Sequence, residues 1–352
     1  MISRETVYAL LSIRAQEMRA LIKNRRPATE IHPLAYAHID VVIKNIADMC
    51  NKESKVHALL SHIAFGTEED FQAAKAMLEA NPRLIFEAAD VVTPSGLKVI
   101  RTTPYECAIG AGDDGMAAMI APCFERFEGG LAVKAASDKR YRPHIEKMLD
   151  QKNYYDLNPL IEAIKQASDA DVTAQLQNMM DSDSELCTAF KKFRKDFTPG
   201  EITVGMHFNY QDLIHAFAIN DAEYDNLTRG DNYDRNRLVA RQVIGFIQRN
   251  LPAVERCLFA EGNLYGVANK TESLVRTFKF KYDNESFPAI TRGDSAHVGL
   301  GVDYWVGGLG LLRERSGRCG VGGRSLGIIC QTKASSLASL HHHSIERRRP
   351  GM

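Results

Sequence analysis

The stretch Thr103-Pro104-Tyr105-Glu106-Cys107-Ala108-Ile109-Gly110-Ala111-Gly112-Asp113 leaves the backbone few choices. Thr103 can accept from N–H groups two or three residues on and so cap a helix. Pro104 then sits at the first helical position, where its missing donor costs nothing and its φ is already set. Tyr105, Ala108 and Ile109 fall at i, i+3 and i+4, one apolar face. Ala108 is small enough for a neighbouring helix to come close. Gly112 follows where a left-handed φ ends the helix cheaply. Asp113 and Asp114 put negative charge at the start of the next helix, whose apolar positions are Met116, Met119, Ile120 and Cys123.

The same grammar reads twice more. Upstream, Leu59, Leu60, Ile63 and Ala64 precede Gly66, and Glu68-Glu69-Asp70 lead into Phe71, Ala74, Met77 and Leu78. Downstream, Asn158-Pro159-Leu160-Ile161-Glu162-Ala163-Ile164 matches 103–109 position for position, with Asp169, Asp171, Val172 and Leu176 following. Aligned on the cap, His57, Thr103 and Asn158 are about 46 and 55 residues apart, against ~33 in a plain ankyrin array. The pattern predicts a mainly α fold of irregular ankyrin-like helix-turn-helix repeats with insertions between them; the plainer alternative is a helical bundle with Thr-Pro and Asn-Pro caps. One insertion reads as a hairpin: Val91-Val92, the turn Pro94-Ser95-Gly96, then 97–100.

Four segments follow. Residues 1–52 hold two amphipathic helices, 6–23 and 33–50, which would cap the first repeat. Residues 53–198 form the repeat domain, and Thr198-Pro199-Gly200 breaks it. Residues 199–306 read as a small helical domain with one or two strands, one of them the alternating run Phe278-Lys279-Phe280-Lys281-Tyr282. Residues 307–352 are dense in Gly and Arg and predict a poorly ordered tail with a short helix at 332–340.

The 44 basic and 44 acidic residues cancel, which does not suggest a general nucleic-acid surface. Seven cysteines without a C-x-x-C pair signal neither zinc ribbon nor disulfide framework. No secretory apolar segment and no apolar run near the ~20 residues that span a bilayer are present, so the chain is expected to be soluble and cytoplasmic where it is made. No cofactor or metal is implied: Asp231 to Asn236 lacks the glycine of a calcium loop, Gly299-Leu300-Gly301 lacks the rest of a dinucleotide motif, and His341 to His343 make no shaped site.

These readings point to binding rather than chemistry. The contact set would be the hairpin tip Pro94, Ser95 and Gly96, with Lys98 and Arg101, and the insertion 128–141 with Arg140 and Arg142. The cluster Lys134, Lys139, Arg140 and Arg142 reads first as a solvated face. The rival is an enzyme with a site in 210–304, built from Asp294, Ser295, His297 and Asp303 beside Arg292, with Cys107 or Cys257 as nucleophile.

The runs 80–84, 92–96 and 103–113, then Asn232-Tyr233-Asp234, 239–252, 276–280 and 299–304, together resemble a group of ankyrin-like proteins of intracellular gammaproteobacteria of the Legionella and Coxiella type. The resemblance spans about 56–304, echoes weakly at 333–337, and departs after Trp305. It implies a substrate of a type IV secretion system, delivered into a host cell to bind a host protein. It brings no catalytic residues.

Overall fold

The computed structural model describes residues 55–176, 183–198, 200–260, 276, 279–282, 285–288, 305–307, 310–312 and 320–346. The helices expected at 6–23 and 33–50, and the set from Arg292 to Asp303, lie outside the described residues. The chain divides into a unit of Met1–Val56 and a unit of His57–Met352.

Helix α1 spans 55–65 and ends at Gly66, whose φ is +57°. Thr67 caps α2 (Glu68–Ala80), accepting from the Asp70 N–H at 3.0 Å. A 3-10 turn, Pro82–Phe86, leads into the antiparallel strands β1 (Ala89–Val92) and β2 (Lys98–Thr102). Thr103 caps α3 (Pro104–Gly110) as expected and closes a capping box with Glu106. Gly112, at φ +69°, turns the chain into α4 (Asp114–Ile120), which Asp113 caps through the Met116 N–H at 2.9 Å. Helix α2 packs on α4. Phe86, Tyr105 and Phe124 meet edge to face beneath them, with centroids 5.4 to 5.7 Å apart.

The third pair, α6 (Asn158–Gln166) and α7 (Asp169–Leu176), departs from this scheme. Asn158 is its first helical residue, not its cap; Leu157 holds the cap position without a side-chain bond. His57 likewise lies inside α1. Helix α6 packs mainly on α8 (Glu185–Asp196). Arg235, wholly buried, donates to Asp169 Oδ1 at 2.6 Å and to the Ala167 carbonyl, fixing the α6–α7 turn. That turn contains no glycine. The molecule is mainly helical with a small three-stranded sheet.

The insertion 128–141, expected as a contact loop, is mostly helix: α5 runs Gly130–Lys147. Its buried stripe is Lys134, Ser137, Asp138, Tyr141 and Ile145, so it is polar where a helix normally shows Leu or Val. Lys134 is 3% exposed and donates to Asp138 Oδ2 at 2.8 Å, while the Tyr105 hydroxyl donates to Asp138 Oδ1 at 2.9 Å. The basic run is therefore no uniform solvated face.

Beyond α8, the two-residue strand β3 (Glu201–Ile202) pairs parallel to β2. Helix α9 (Tyr210–Ala222) is capped by Asn209, and a short α10 (Tyr224–Leu227) follows. Residues Asp234–Leu238, Val239–Ile244 and Gly245–Gln248 run on as one rod, α11, with a π turn at its middle. Then come α12 (Ala253–Ala260), hairpins β4 (Lys279–Tyr282) with β5 (Glu285–Pro288) and β6 (Trp305–Gly307) with β7 (Gly310–Leu312), and α13 (Gly320–Glu346). The tail expected to be poorly ordered is thus largely a helix. Leu326, Ile329, Cys330, Ala334 and Leu337 bury one face of it, and α9 is its principal partner. The short helix read at 332–340 is its middle.

These elements converge on one charged centre. Arg276 grips Asp113 through both carboxylate oxygens at 2.7 Å, donates to the Gly66 carbonyl at 3.0 Å, and lies over the Phe71 ring. Lys333 on α13 donates to the Gly112 carbonyl at 2.8 Å and pairs with Glu255 on α12, to which the Tyr210 hydroxyl also bonds. Asp113, Glu255 and Lys333 are all buried. Burial alone would raise the Asp113 carboxyl, but the Arg276 bonds outweigh it and hold it below its ordinary value. For Lys333, burial favours the neutral amine, yet Glu255, Asp114 and Asp113 together keep it charged.

Removing one member of such a pair leaves a buried charge uncompensated. Asp113→Asn, which keeps the cap's shape, should therefore destabilise the fold by roughly 3–5 kcal/mol in urea denaturation. Exposed Asp183→Asn should change it by less than about 0.5 kcal/mol.

Candidate interaction surface

Of the sequence-predicted contact residues, Pro94, Ser95, Gly96, Lys98 and Arg101 lie on the β1–β2 hairpin, and Arg140 and Arg142 on α5. Val91 and Val99 face each other across the pair and are buried, anchoring it. At the tip the Thr93 N–H donates to the Leu97 carbonyl and the Gly96 N–H to the Thr93 carbonyl, both at 2.9 Å. The Thr93 and Ser95 hydroxyls bond at 2.8 Å. Gly96 takes φ +87°, with nothing within 4 Å of where a Cβ would stand. Pro94 and Ser95 are half-buried, while Val92 is 55% exposed.

Arg101 is the unusual residue. The register pairs Ala89 with Thr102 but Val91 with Val99, so two residues of β2 oppose Asp90 alone: a β-bulge. Arg101 occupies it at φ +50°, the one non-glycine with positive φ among the described residues. Its N–H is taken by Asp90 Oδ1 at 2.9 Å, and its side chain is exposed.

The other cations differ. Lys98 Nζ bonds Glu201 Oε1 at 3.0 Å, which raises its pKa. Arg140 pairs with Glu106 of the capping box at 3.0 Å, so it braces the start of α3. Arg142 is exposed on the last turns of α5. Of the repeat-motif residues, Thr103, Pro104 and Ala108 are in place at α3, and Gly66 and Gly112 take the left-handed turns. Pro159 is the second residue of α6, with Ala163 one turn later.

Behind the sheet, the loop after β3 seals α3. The His207 N–H donates to the Gly110 carbonyl at 2.7 Å, and a Cβ on Gly110 would stand 2.4 Å from His207 Nε2. His207 Nε2 is buried without a partner, and burial pushes the imidazole down to about 4. Tyr141 and His144 of α5 adjoin this loop at Gly205.

Little here suits bond-making chemistry. Cys107, a candidate nucleophile, is wholly buried; burial and then Asp113 push its thiol up to about 12. Cys257 is buried in α12. The remaining members of the enzyme-like set lie outside the described residues. Among the described residues no group of three His, Cys, Asp or Glu could hold a metal ion, and no helix is long and apolar enough to cross a membrane. No family model, curated protein or solved structure matches this chain.

The His207 environment sets an acid response. Its folded-state pKa lies below the unfolded value of 6.5, so the unfolded chain takes up the proton first. Stability is then full above about pH 6.5 and falls by up to roughly 3 kcal/mol as the pH drops through 4. Urea denaturation of His207→Gln against pH should show this component flattened between pH 6.5 and 4.

Proposed function

We propose that the chain is a protein-interaction module that binds an acidic segment of a host protein through the β1–β2 hairpin, and that a type IV secretion system delivers it there. The platform in this reading is the two-pair stack α1–α2 and α3–α4, an ankyrin-like arrangement truncated by the divergence of α6–α7. The observation behind it is Arg101. A left-handed conformation costs a residue with a Cβ about 1 kcal/mol, which glycine would avoid. Backbone strain held at an exposed site supports a functional role for the side chain that bears it. On the same hairpin Val92, paired in register with Lys98, is the most exposed large apolar side chain among the described residues. Cations and an exposed apolar side chain on one hairpin suit an acidic partner. Secretion rests on the resemblance in sequence.

Arg101→Gly separates binding from folding. The variant should be at least as stable as the parent in thermal unfolding, because it relieves the left-handed strain. A photo-crosslinker at Val92 should yield a defined host-protein adduct in cell lysate. The same probe at Val133, exposed on α5, should not. Arg101→Gly and Arg101→Glu should abolish the adduct; an adduct that persists in both removes the hairpin as the binding surface. For delivery, a reporter fusion should reach the host cytosol only from bacteria with an intact secretion apparatus.

A further inference from the structure

Between α10 and α11 the chain makes a tight turn, 229–232, whose tip reads Arg229-Gly230-Asp231. The Arg229 N–H donates to the Asn232 carbonyl at 3.1 Å and the Asn232 N–H to the Arg229 carbonyl at 3.0 Å, so the turn is closed twice. Gly230 takes φ +59°, while Arg101 is the one non-glycine with positive φ among the described residues, so Asp231 turns with a negative one. A left-handed residue at the first central position alone is the pattern of a type II′ turn, which favours glycine there. The stem is braced on both sides. Leu227 and Arg235 are buried, the Thr228 hydroxyl donates to the Tyr224 carbonyl at 2.9 Å, and Asn232 Oδ1 accepts from the Asp234 N–H at 2.9 Å.

The tip's side chains are on display. Arg229, Gly230 and Asp231 are all exposed, and nothing lies within 4 Å of a Cβ built at Gly230. Among the described residues Asp231 takes part in no hydrogen bond or ion pair. Arg229 donates one Nη to the Lys165 carbonyl at 2.5 Å, an exposed bond that water can replace and that leaves the guanidinium its other N–H groups. Two residues on, Tyr233 is 39% exposed, an aromatic of the kind enriched at interfaces. A turn braced in this way already has its bound shape, so a partner closing on it loses little ordering entropy. Opposite charges on either side of one glycine define that partner. An exposed carboxylate can fill an open position on a divalent cation, which takes oxygen ligands. A guanidinium fork fits a carboxylate.

We propose that this turn docks on a cell-surface receptor of the integrin type, which presents a bound divalent cation to Asp231 and an acidic pocket to Arg229. Charge alone does not make the site. The two arms must stand at the reach that the turn and the glycine between them set, so one extra methylene in the acidic arm breaks the fit while charge and exposure stay as they are. The hairpin reading is separate: its partner lies inside a host cell, this receptor faces outwards, and the two surfaces share no residue.

The test is biolayer interferometry of the full chain on immobilised ectodomains of Arg-Gly-Asp-binding integrins in manganese buffer. Binding should saturate, vanish in EDTA and be displaced by a short cyclic Arg-Gly-Asp peptide. Asp231→Glu and Arg229→Gln should each weaken it at least about tenfold, the loss of one well-placed charged contact. Asp225→Glu, the same exchange at an exposed position on α10, should change nothing. All three positions are exposed, so each variant should melt close to the parent's temperature. No saturable binding, binding that persists in EDTA, or equal binding by the parent and Asp231→Glu would each overturn the proposal.

Discussion

The two-toothed grip of Arg276 on Asp113 is the contact on which the described architecture turns. One carboxylate caps α4, neutralises the guanidinium and, through that guanidinium, holds the Gly66 carbonyl at the end of α1. One residue earlier, the Gly112 carbonyl takes Lys333 from α13. Gly112 cannot be replaced cheaply for two reasons. Its φ is left-handed, and a Cβ would stand 2.9 Å from the Tyr210 hydroxyl. Buried ions are costly unless geometry and partners are both right, so segments around 66, 113, 210, 255, 276 and 333 are tied to a single arrangement.

Helices α9 and α13 and the hairpin all meet this centre. Lys333 lies about one turn along α13 from Cys330, and Tyr210 opens α9 beside Gln211. Glu255, bonded to both Lys333 and Tyr210, therefore ties α13 and α9 to α12. Helix α3 starts from the end of β2 and carries Gly112 at its far side, so the hairpin is mounted on the same centre. A second polar path, Tyr105 to Asp138 to Lys134 to the Leu340 carbonyl at 2.7 Å, holds α13 to α5.

What the sequence made legible was local. Thr103, Gly66, Gly96, Gly112 and the alternating 279–282 run announce themselves because a cap, a turn or a strand is decided by neighbours a few positions away. Helix α5 escaped because its buried stripe is Lys134, Ser137, Asp138 and Tyr141, and apolar periodicity cannot register a face buried through ion pairing. Helix α13 escaped because its glycines argue against a helix, while the apolar positions from Leu326 to Leu337 gain their helix from α9. Asn158 misled for the opposite reason: Asn-Pro reads as a cap and first turn, yet the chain enters the helix one residue sooner. The charged centre was out of reach, since Arg276 meets Asp113 across 163 residues and Lys333 meets Gly112 across 221.

Charge explains why the interior is elaborate. The chain's equal cations and anions are in part consumed inward: Asp113, Glu255, Arg235, Lys134 and Lys333 are all buried and paired. Burial that strengthens those pairs also raises the Cys107 and Cys330 thiols and lowers His207 and His215. Each shift runs towards the neutral form, away from the thiolate or imidazolium that nucleophilic chemistry requires. A site made from these residues can offer shape and neutral hydrogen bonds but little reactivity.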